Sequence, residues 1–344
     1  MQNWKKLVAA VAGIVAAGTV YAQKTELTVY TALEMDQLKA YEAAFNKGNP
    51  DIAIKWVRDS TGVITAKLLA EKANPKADVI MGVAASSLAL FDNNGMLQGY
   101  APKNLPAISA KYRDSKNPPH WVGMDIFGAT ICFNTLEAKK RNIPVPTSWH
   151  DLTKPEFKGQ VVMPNPASSG TGYFDVAAWL HLFGDDNGKG GGWKYMDALH
   201  ENIAQYTHSG SKPCNMAAQG EYVAGISFEY RGHVNKSKGA PIDLVFPKEG
   251  LGWDLEGISI YKGTKHVEAA QKLVDWAVSK EAMELYGKNF AVTAMPGVAP
   301  KLDNIPADYE ARLIPLDFNK MADSRERVLG EWSKRYDAKS EAKK

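Results

Sequence analysis

Short apolar runs alternate with amphipathic segments along most of this chain. Short runs bounded by polar or turn residues are typical of buried strands, and apolar residues at helical spacing, such as Leu38, Tyr41 and Phe45, indicate a helix face. The pattern predicts strands at residues 27–30, 52–57, 79–81, 127–133, 161–163, 204–207, 222–228 and 257–261. It predicts helices at residues 31–46, 61–72, 87–93, 173–183, 193–202, 216–221 and 266–286.

This alternation is typical of an α/β fold with a largely parallel sheet. The order of the elements predicts that the chain crosses between two lobes, first near residues 124–130 and again near 245–256, which is rich in Pro and Gly. We expect each lobe to be a mostly parallel sheet flanked by helices, with a ligand cleft between the lobes, because ligands of open α/β sheets bind beyond the carboxyl ends of strands. The expected divisions are 23–126 with 250–290, 127–249, and helices within 291–344 that pack across both lobes.

Residues 1–22 have the pattern of a cleavable signal peptide. Lys5 and Lys6 give a positive start, residues 7–20 are apolar or small, and Ala22 ends a small-residue cleavage site. An N-terminal membrane anchor is the other interpretation, although the apolar stretch is short for a membrane span. We therefore expect secretion into the periplasm.

Composition and missing motifs restrict the chemistry. The chain has 41 Lys and Arg against 38 Asp and Glu, and so weak a positive balance argues against nucleic acid as a partner. Neither a nucleophile elbow nor a nucleotide-binding or zinc motif is found, so we expect no enzyme activity, no cofactor and no metal. Two cysteines occur, Cys132 and Cys214; in an exported protein they can pair or stay free, and the sequence leaves both possibilities open.

Loops rich in hydroxyl groups stand at the ends of several predicted strands, each just before a predicted helix. The free N–H groups and partial positive charge of a helix start suit an anion. Ser and Thr are also preferred helix caps, and Thr31 with Glu34 fits a capping box, so each loop alone is equally consistent with capping. The candidate anion ligands are Thr31, Ser60, Thr61, Ser86, Ser168, Ser169, Gly170, Thr171 and Ser211.

Carboxylates are predicted at the same edge of the sheet. Glu229 and Tyr230 directly follow a predicted strand, and Glu34 follows the first one. A cleft that combines an anion site with carboxylates predicts a ligand with charges of both signs. Pairing of Glu229 with Arg231 or another base at the surface is the alternative interpretation.

Three stretches resemble the periplasmic solute-binding proteins of ABC importers. They are PTSWHDLTKPEFKG at 146–159, DVIMGVAASS at 78–87, and residues 257–286. The resemblance is to the group that binds ferric ion, polyamines and phosphate esters. It implies the two-lobed fold of type II periplasmic binding proteins, a non-catalytic monomer, and delivery of a small ligand to an ABC permease. An exported hydrolase of phosphate esters is the rival from another class; it would need a metal cluster or an activated nucleophile.

Within that group, VYTALE, SSGTGY, SGSKPC and GISFEYRG look most like the binding proteins for 2-aminoethylphosphonate. Ferric relatives use two adjacent tyrosines where this chain has Glu229 and Tyr230, which disfavours iron. A sugar phosphate or another small phosphate ester is the alternative ligand, ahead of a polyamine. For 2-aminoethylphosphonate, residues 168–171 would bind the phosphonate, aided by the other hydroxyl groups, and Glu229 and Glu34 would bind the ammonium.

Overall fold

The computed structural model describes residues 24–342, so the predicted signal peptide at 1–22 lies outside the described residues. Ten strands form one sheet within this range. They are β1 (Thr25–Thr31), β2 (Ile52–Arg58), β3 (Val79–Ala84), β4 (Leu97–Gln98), β5 (Val122–Asn134), β6 (Val161–Pro164), β7 (Ile203–Thr207), β8 (Ala224–Phe228), β9 (Ile242–Val245) and β10 (Trp253–Tyr261).

Helices cover the sheet between these strands. They are α1 (Met35–Gly48), α2 (Thr61–Ala70), α3 (Ala85–Asn93), α4 (Thr135–Arg141), α5 (Gly170–Phe183), α6 (Gly191–Asn202), α7 (Lys212–Gln219), α8 (Glu229–Ser237), α9 (Val267–Ala277), α10 (Lys280–Tyr286), α11 (Tyr309–Arg312) and α12 (Phe318–Tyr336). Among residues 24–342, none of them is long and apolar enough to cross a membrane.

The strand order is β2-β1-β3-β10-β5-β8-β6-β7, with β4 beside β10 and β9 beside β5. The outer strands pair in parallel, β1 with β2 and β3, and β6 with β7 and β8. Parallel neighbours require a crossover connection, and α1, α2, α5 and α6 lie in these connections. The two central strands, β5 and β10, run antiparallel to their neighbours, so the sheet is mixed rather than parallel throughout.

Strand β5 belongs to both lobes. Its first half, Val122 to Gly128, pairs with β10, and its second half, from Ala129 onward, pairs with β8 and β9. The N–H of Ala129 donates to the carbonyl of Gly252 at 2.8 Å, just before β10 begins. The chain therefore passes between the lobes at two adjacent points, and the division of the chain at 126/127 and 249/250 stays a prediction.

The C-terminal helix α12 contacts elements of both lobes. Asn93 at the end of α3 donates to Asp323 at 3.2 Å, on the first-lobe side. On the other side, the Trp332 ring lies edge-on to Tyr206 of β7 at 4.8 Å, and the Tyr336 hydroxyl donates to Asp197 of α6 at 2.7 Å. Helix α12 therefore packs against both lobes.

Three sequence predictions differ from the structure for local reasons. The single helix expected at 266–286 is two helices, because the Ser279 hydroxyl caps α10 by accepting from the N–H of Ala282. Helix α1 starts at Met35, and its capping box joins Glu34 to Gln37 instead of Thr31 to Glu34. Strand β5 begins at Val122, five residues before the predicted start at residue 127. The prediction missed these residues because Gly123 and Asp125 interrupt the apolar run.

Cys132 and Cys214 form a disulfide, which decides the alternative that the sequence left open. Their Cα atoms are 5.2 Å apart, and both side chains are buried. The bond joins β5 to the first turn of α7, across 82 residues of sequence.

Removing this disulfide should destabilise the protein. A Cys132→Ala/Cys214→Ala variant should lose about 4 kcal/mol of unfolding free energy, the amount expected for closing a loop of this length. Urea denaturation of the whole protein, followed by tryptophan fluorescence, measures the loss. A reducing agent should lower the midpoint of the natural protein and leave that of the variant unchanged; equal midpoints for all four samples would contradict the prediction.

Candidate ligand-binding site

A small cavity lies where the two lobes meet, at the carboxyl ends of β1 and β2. The space open to the centre of a water molecule is about 30 Å³, so the cavity is narrow. Both lobes contribute to its wall, as expected for a cleft between them. The lining residues are Ala32, Glu34, Arg58, Ser60, Thr61, Phe127, Ser169, Gly170, Thr171, Gly210, Phe228 and Glu256.

Two helix starts face each other across this cavity, α2 from the first lobe and α5 from the second. Ser60 and Ser169 are their N-cap residues. Among residues 24–342, the hydroxyl groups of Ser60, Thr61 and Thr171 have no hydrogen-bond partner. Free hydroxyls beside two positive helix ends make this part of the cavity suitable for an anion.

Gly170 permits the close approach of the two helix starts. A Cβ atom at this position would lie 2.9 Å from the Thr61 hydroxyl oxygen, which is closer than real contacts of this kind. Glycine removes that conflict, so the Thr61 and Thr171 hydroxyls can face one small volume.

Arg58, the last residue of β2, adds a full positive charge to the wall. Its Nε donates to the carbonyl of Leu33 at 3.0 Å, and its Nη2 lies 3.7 Å from Glu34. This leaves guanidinium donors available to an anion in the cavity. Sequence reasoning did not select Arg58, although a basic residue at a strand end next to the Ser60 loop was a usable signal.

Two carboxylates, Glu34 and Glu256, also line the cavity, and their environments differ. Glu34 is neutralised in part, because its Oε2 lies 3.2 Å from Nη2 of Arg231. Glu256 has no such cation; it is 7% exposed, and its Oε2 has no partner among the described residues. Burial raises the pKa of Glu256 to about 8. Sequence reasoning missed Glu256, because it stands inside an apolar strand rather than in a loop.

Glu229 and Tyr230 do not line the cavity. The Glu229 carboxylate is fully buried at the lobe crossing, where it accepts from the N–H of Gly128 at 2.8 Å, and burial raises its pKa to about 8. The Tyr230 hydroxyl donates to Asp36 at 3.2 Å. Arg231 pairs with Glu34 and Asp36 and not with Glu229, so the alternative surface pair is wrong.

Four of the predicted hydroxyl residues are also outside the lining. The Thr31 hydroxyl accepts from the N–H of Leu33, and that of Ser168 donates to the carbonyl of His208 at 2.8 Å. Ser86 uses its N–H for Asp254, and the Ser211 hydroxyl lies 3.4 Å from that of Ser209. The cavity therefore brings together six of the predicted residues, namely Glu34, Ser60, Thr61, Ser169, Gly170 and Thr171.

The lobes touch on both sides of the cavity. The N–H of Gly62 donates to the carbonyl of Ser168 at 2.9 Å, and Nε2 of His208 lies 2.9 Å from Asp59. On the opposite side, Arg231 of the second lobe lies 3.3 Å from Asp36 of the first. The cleft is therefore closed over the cavity.

A separate group of side chains outside the cavity has the spacing of metal ligands. One ligand atom each of Asp92, Asp114 and His120 lies within 4.8 Å of the others. His120 and the Lys116 ammonium already pair with the Asp92 carboxylate. The Lys116 ammonium neutralises the Asp92 carboxylate, so the group is an ion-paired cluster.

Comparisons with known proteins give the same class of protein as the sequence resemblance. A family model described as bacterial extracellular solute-binding protein matches residues 74–323. An uncharacterized protein of Haemophilus influenzae is 35% identical over 282 residues, which is 80% of this chain and 79% of that protein. A probable ABC transporter periplasmic-binding protein of Sinorhizobium fredii is 27% identical over 323 residues, 91% of this chain and 87% of the other.

A solved structure is similar along nearly its whole length. The periplasmic binding protein AfuA from Actinobacillus pleuropneumoniae, with exogenous fructose-6-phosphate bound, is 32% identical and superimposes with a TM-score of 0.84. The match covers 92% of this chain and 99% of AfuA.

Proposed function

This chain belongs to the bacterial extracellular solute-binding proteins, and from that premise we propose that it captures 2-aminoethylphosphonate in the periplasm and delivers it to an ABC permease. The observation that carries the proposal is the mixture of charges in the cavity lining. Two helix starts with free hydroxyls line the cavity together with Arg58, and the carboxylates Glu34 and Glu256 line it as well. A small zwitterion can meet both kinds of group at once.

The phosphonate belongs beside the two helix starts and Arg58. Its three oxygens can accept from the Ser60, Thr61, Ser169 and Thr171 hydroxyls, from free N–H groups at the start of α5, and from Arg58. Charge-assisted hydrogen bonds are roughly twice as strong as neutral ones. The anion therefore receives most of its binding energy from groups that the fold holds ready.

The amine belongs beside the carboxylates, and the short carbon chain between the two groups meets apolar walls. Glu256 is the better ammonium acceptor of the two lining carboxylates, since Arg231 already pairs with Glu34. The Phe127 and Phe228 rings, 6.1 Å apart, also line the cavity. For Glu229 the ammonium role stays a prediction that needs the carboxylate to move from Gly128.

A sugar phosphate is the second candidate, and one observation favours it. AfuA, at 32% identity, was determined with fructose-6-phosphate bound. The carboxylates Glu34 and Glu256 in the lining favour the zwitterion over a ligand that is only anionic. 2-Aminoethylphosphonate has about seven non-hydrogen atoms, which sets a binding ceiling of roughly 10 kcal/mol and a Kd of order tens of nanomolar.

Calorimetry with a ligand panel tests the proposal. The purified protein should bind 2-aminoethylphosphonate more tightly than ethylphosphonate, phosphate, fructose 6-phosphate, putrescine or ferric citrate. Ethylphosphonate is the informative control, because it keeps the anion and lacks the amine. No heat with 2-aminoethylphosphonate, together with binding of fructose 6-phosphate, would transfer the function to the second candidate.

Loss of the Arg58 charge should weaken the binding of both phosphonates. Arg58→Gln removes a guanidinium that can donate to the phosphonate, so we expect roughly ten- to a hundredfold weaker binding of 2-aminoethylphosphonate and of ethylphosphonate. Arg141→Gln is the matched control, since Arg141 is exposed on α4 and pairs only with Glu137. A loss confined to 2-aminoethylphosphonate would mean that Arg58 does not face the phosphonate.

Closure of the lobes depends on Gly62. A Cβ atom there would lie 2.1 Å from the Ala167 carbonyl oxygen in the opposite lobe, so Gly62→Ala should hold the cleft partly open. With saturating ligand, X-ray scattering should give this variant a larger radius of gyration than the natural protein, and its affinity should fall. Gly330→Ala, a helical glycine with open space around it, should behave as the natural protein does. Identical compaction of both variants would exclude this contact from closure.

A further inference from the structure

Two carboxylates lie side by side, one in the cavity wall and one directly behind it. Asp125 of β5 and Glu256 of β10 are direct partners in the antiparallel register, so their side chains lie on the same face of the sheet at neighbouring positions. Asp125 is fully buried, and Glu256, which lines the cavity, is 7% exposed. Both oxygens of Asp125 and Oε2 of Glu256 lack a hydrogen-bond partner among the described residues.

The groups around Asp125 and Glu256 are mostly acidic, and no cation contacts the pair directly. Within residues 24–342, no Lys, Arg or His nitrogen lies within 4.0 Å of either carboxylate. The nearest arginines, Arg58 and Arg231, pair with Glu34 instead. The other ionisable groups that face the pair are Glu34 before α1, Tyr41 on α1, Glu229 on α8 and Tyr286 on α10, and Tyr309 faces Glu229.

We propose that Asp125 and Glu256 share one proton in the ligand-free protein, and that the ligand's ammonium group displaces this proton when it binds. The inference rests on the proposed function and deepens it, because it makes capture of an amine a proton exchange. Two adjacent buried carboxylates cannot both be ionised without a cation, and a shared proton provides the missing hydrogen bond. An ammonium group supplies the cation, after which both carboxylates can be ionised.

The exchange balances without a further reactant. The ligand enters with its amine protonated and its phosphonate ionised, the Asp125–Glu256 pair loses one proton to the solvent, and no covalent bond of the ligand changes. A ligand that lacks the amine leaves the proton in place. The pair therefore selects for amines as well as binding them.

The pKa shifts of Asp125 and Glu256 agree with this exchange. Burial and the neighbouring carboxylates raise the pKa of Asp125 well above its usual range, and burial raises the pKa of Glu256 from 4.5 to about 8. The pair titrates as a unit. Because a proton must leave before the ammonium can bind, affinity for the amine should rise with pH up to about 8 and then level off.

Calorimetry in two buffers of different ionisation enthalpy, neither a phosphate nor a primary amine, measures the protons released. At pH 7, binding of 2-aminoethylphosphonate should release about one proton more from the natural protein than from Glu256→Gln. The same titration into Glu256→Gln subtracts any proton that the phosphonate itself loses. Between about pH 6 and 8, the affinity of the natural protein should rise by up to roughly tenfold per pH unit, and that of Glu256→Gln should rise less.

Two controls separate this exchange from a general effect of buried acids. Asp175→Asn removes a fully buried carboxyl group that lies outside the cavity lining and whose pKa is also raised by burial. On binding the ligand, this variant should release as many protons as the natural protein. Ethylphosphonate should bind Glu256→Gln as well as it binds the natural protein. At pH 8, Glu256→Gln should bind 2-aminoethylphosphonate roughly ten- to a hundredfold more weakly.

The ligand-free protein gives an independent readout. Since the pKa of Glu256 is 4.5 in its reference state and about 8 when folded, the proton stabilises the folded protein fully below pH 4.5, and that stabilisation is lost as the pH rises to about 8. The thermal unfolding midpoint should therefore fall over this interval, and it should fall less in Glu256→Gln.

The outcomes distinguish this inference from the proposed function. If 2-aminoethylphosphonate binds the natural protein and Glu256→Gln with the same proton release, the exchange is wrong and the proposed function stands. If 2-aminoethylphosphonate does not bind the natural protein at all, the proposed function fails. If, in addition, the unfolding midpoint of Glu256→Gln falls with pH as much as that of the natural protein, the hypothesis of a shared proton is wrong as well.

Discussion

Strand β5 is the constraint on which the rest of the structure depends. All thirteen of its residues are buried, so each backbone N–H and C=O must find a partner within the protein. The first half finds them in β10 and the second half in β8 and β9. The lobes are thereby held beside one another with their strand ends facing a common cleft. The same strand places Phe127 in the cavity lining, buries Asp125 beside Glu256, and holds α7 through the Cys132 disulfide.

The cleft concentrates opposite charges in a small volume. Helix starts, hydroxyl groups, Arg58, Glu34 and Glu256 all line it. Burial without a cation is costly for carboxylates such as Glu256 and Asp125, and it lowers the stability of the ligand-free protein at neutral pH. An ammonium group beside Glu256 would reduce that cost.

Local sequence patterns predicted the loops of the site better than its strand residues. Ser60, Thr61, Ser169, Gly170 and Thr171 were found because a strand end followed by a hydroxyl-rich helix start is a short, continuous signal. Four hydroxyl residues selected by the same rule do not line the cavity, and the rule cannot tell a hydroxyl such as that of Thr31 or Ser168, which bonds to a backbone group, from one that is free. Glu256 was missed because a carboxylate inside an apolar strand gives no local signal.

The sequence by itself determined the α/β class, the positions of most strands, and the family resemblance, since each depends on short-range periodicity and on contiguous motifs. It could not decide whether Cys132 meets Cys214 or where the long β5 begins. Those facts depend on pairing between residues far apart in the chain. Asp125 and Glu256 are 131 positions apart and become neighbours only through the antiparallel register of β5 and β10. The tertiary structure alone therefore creates the buried pair.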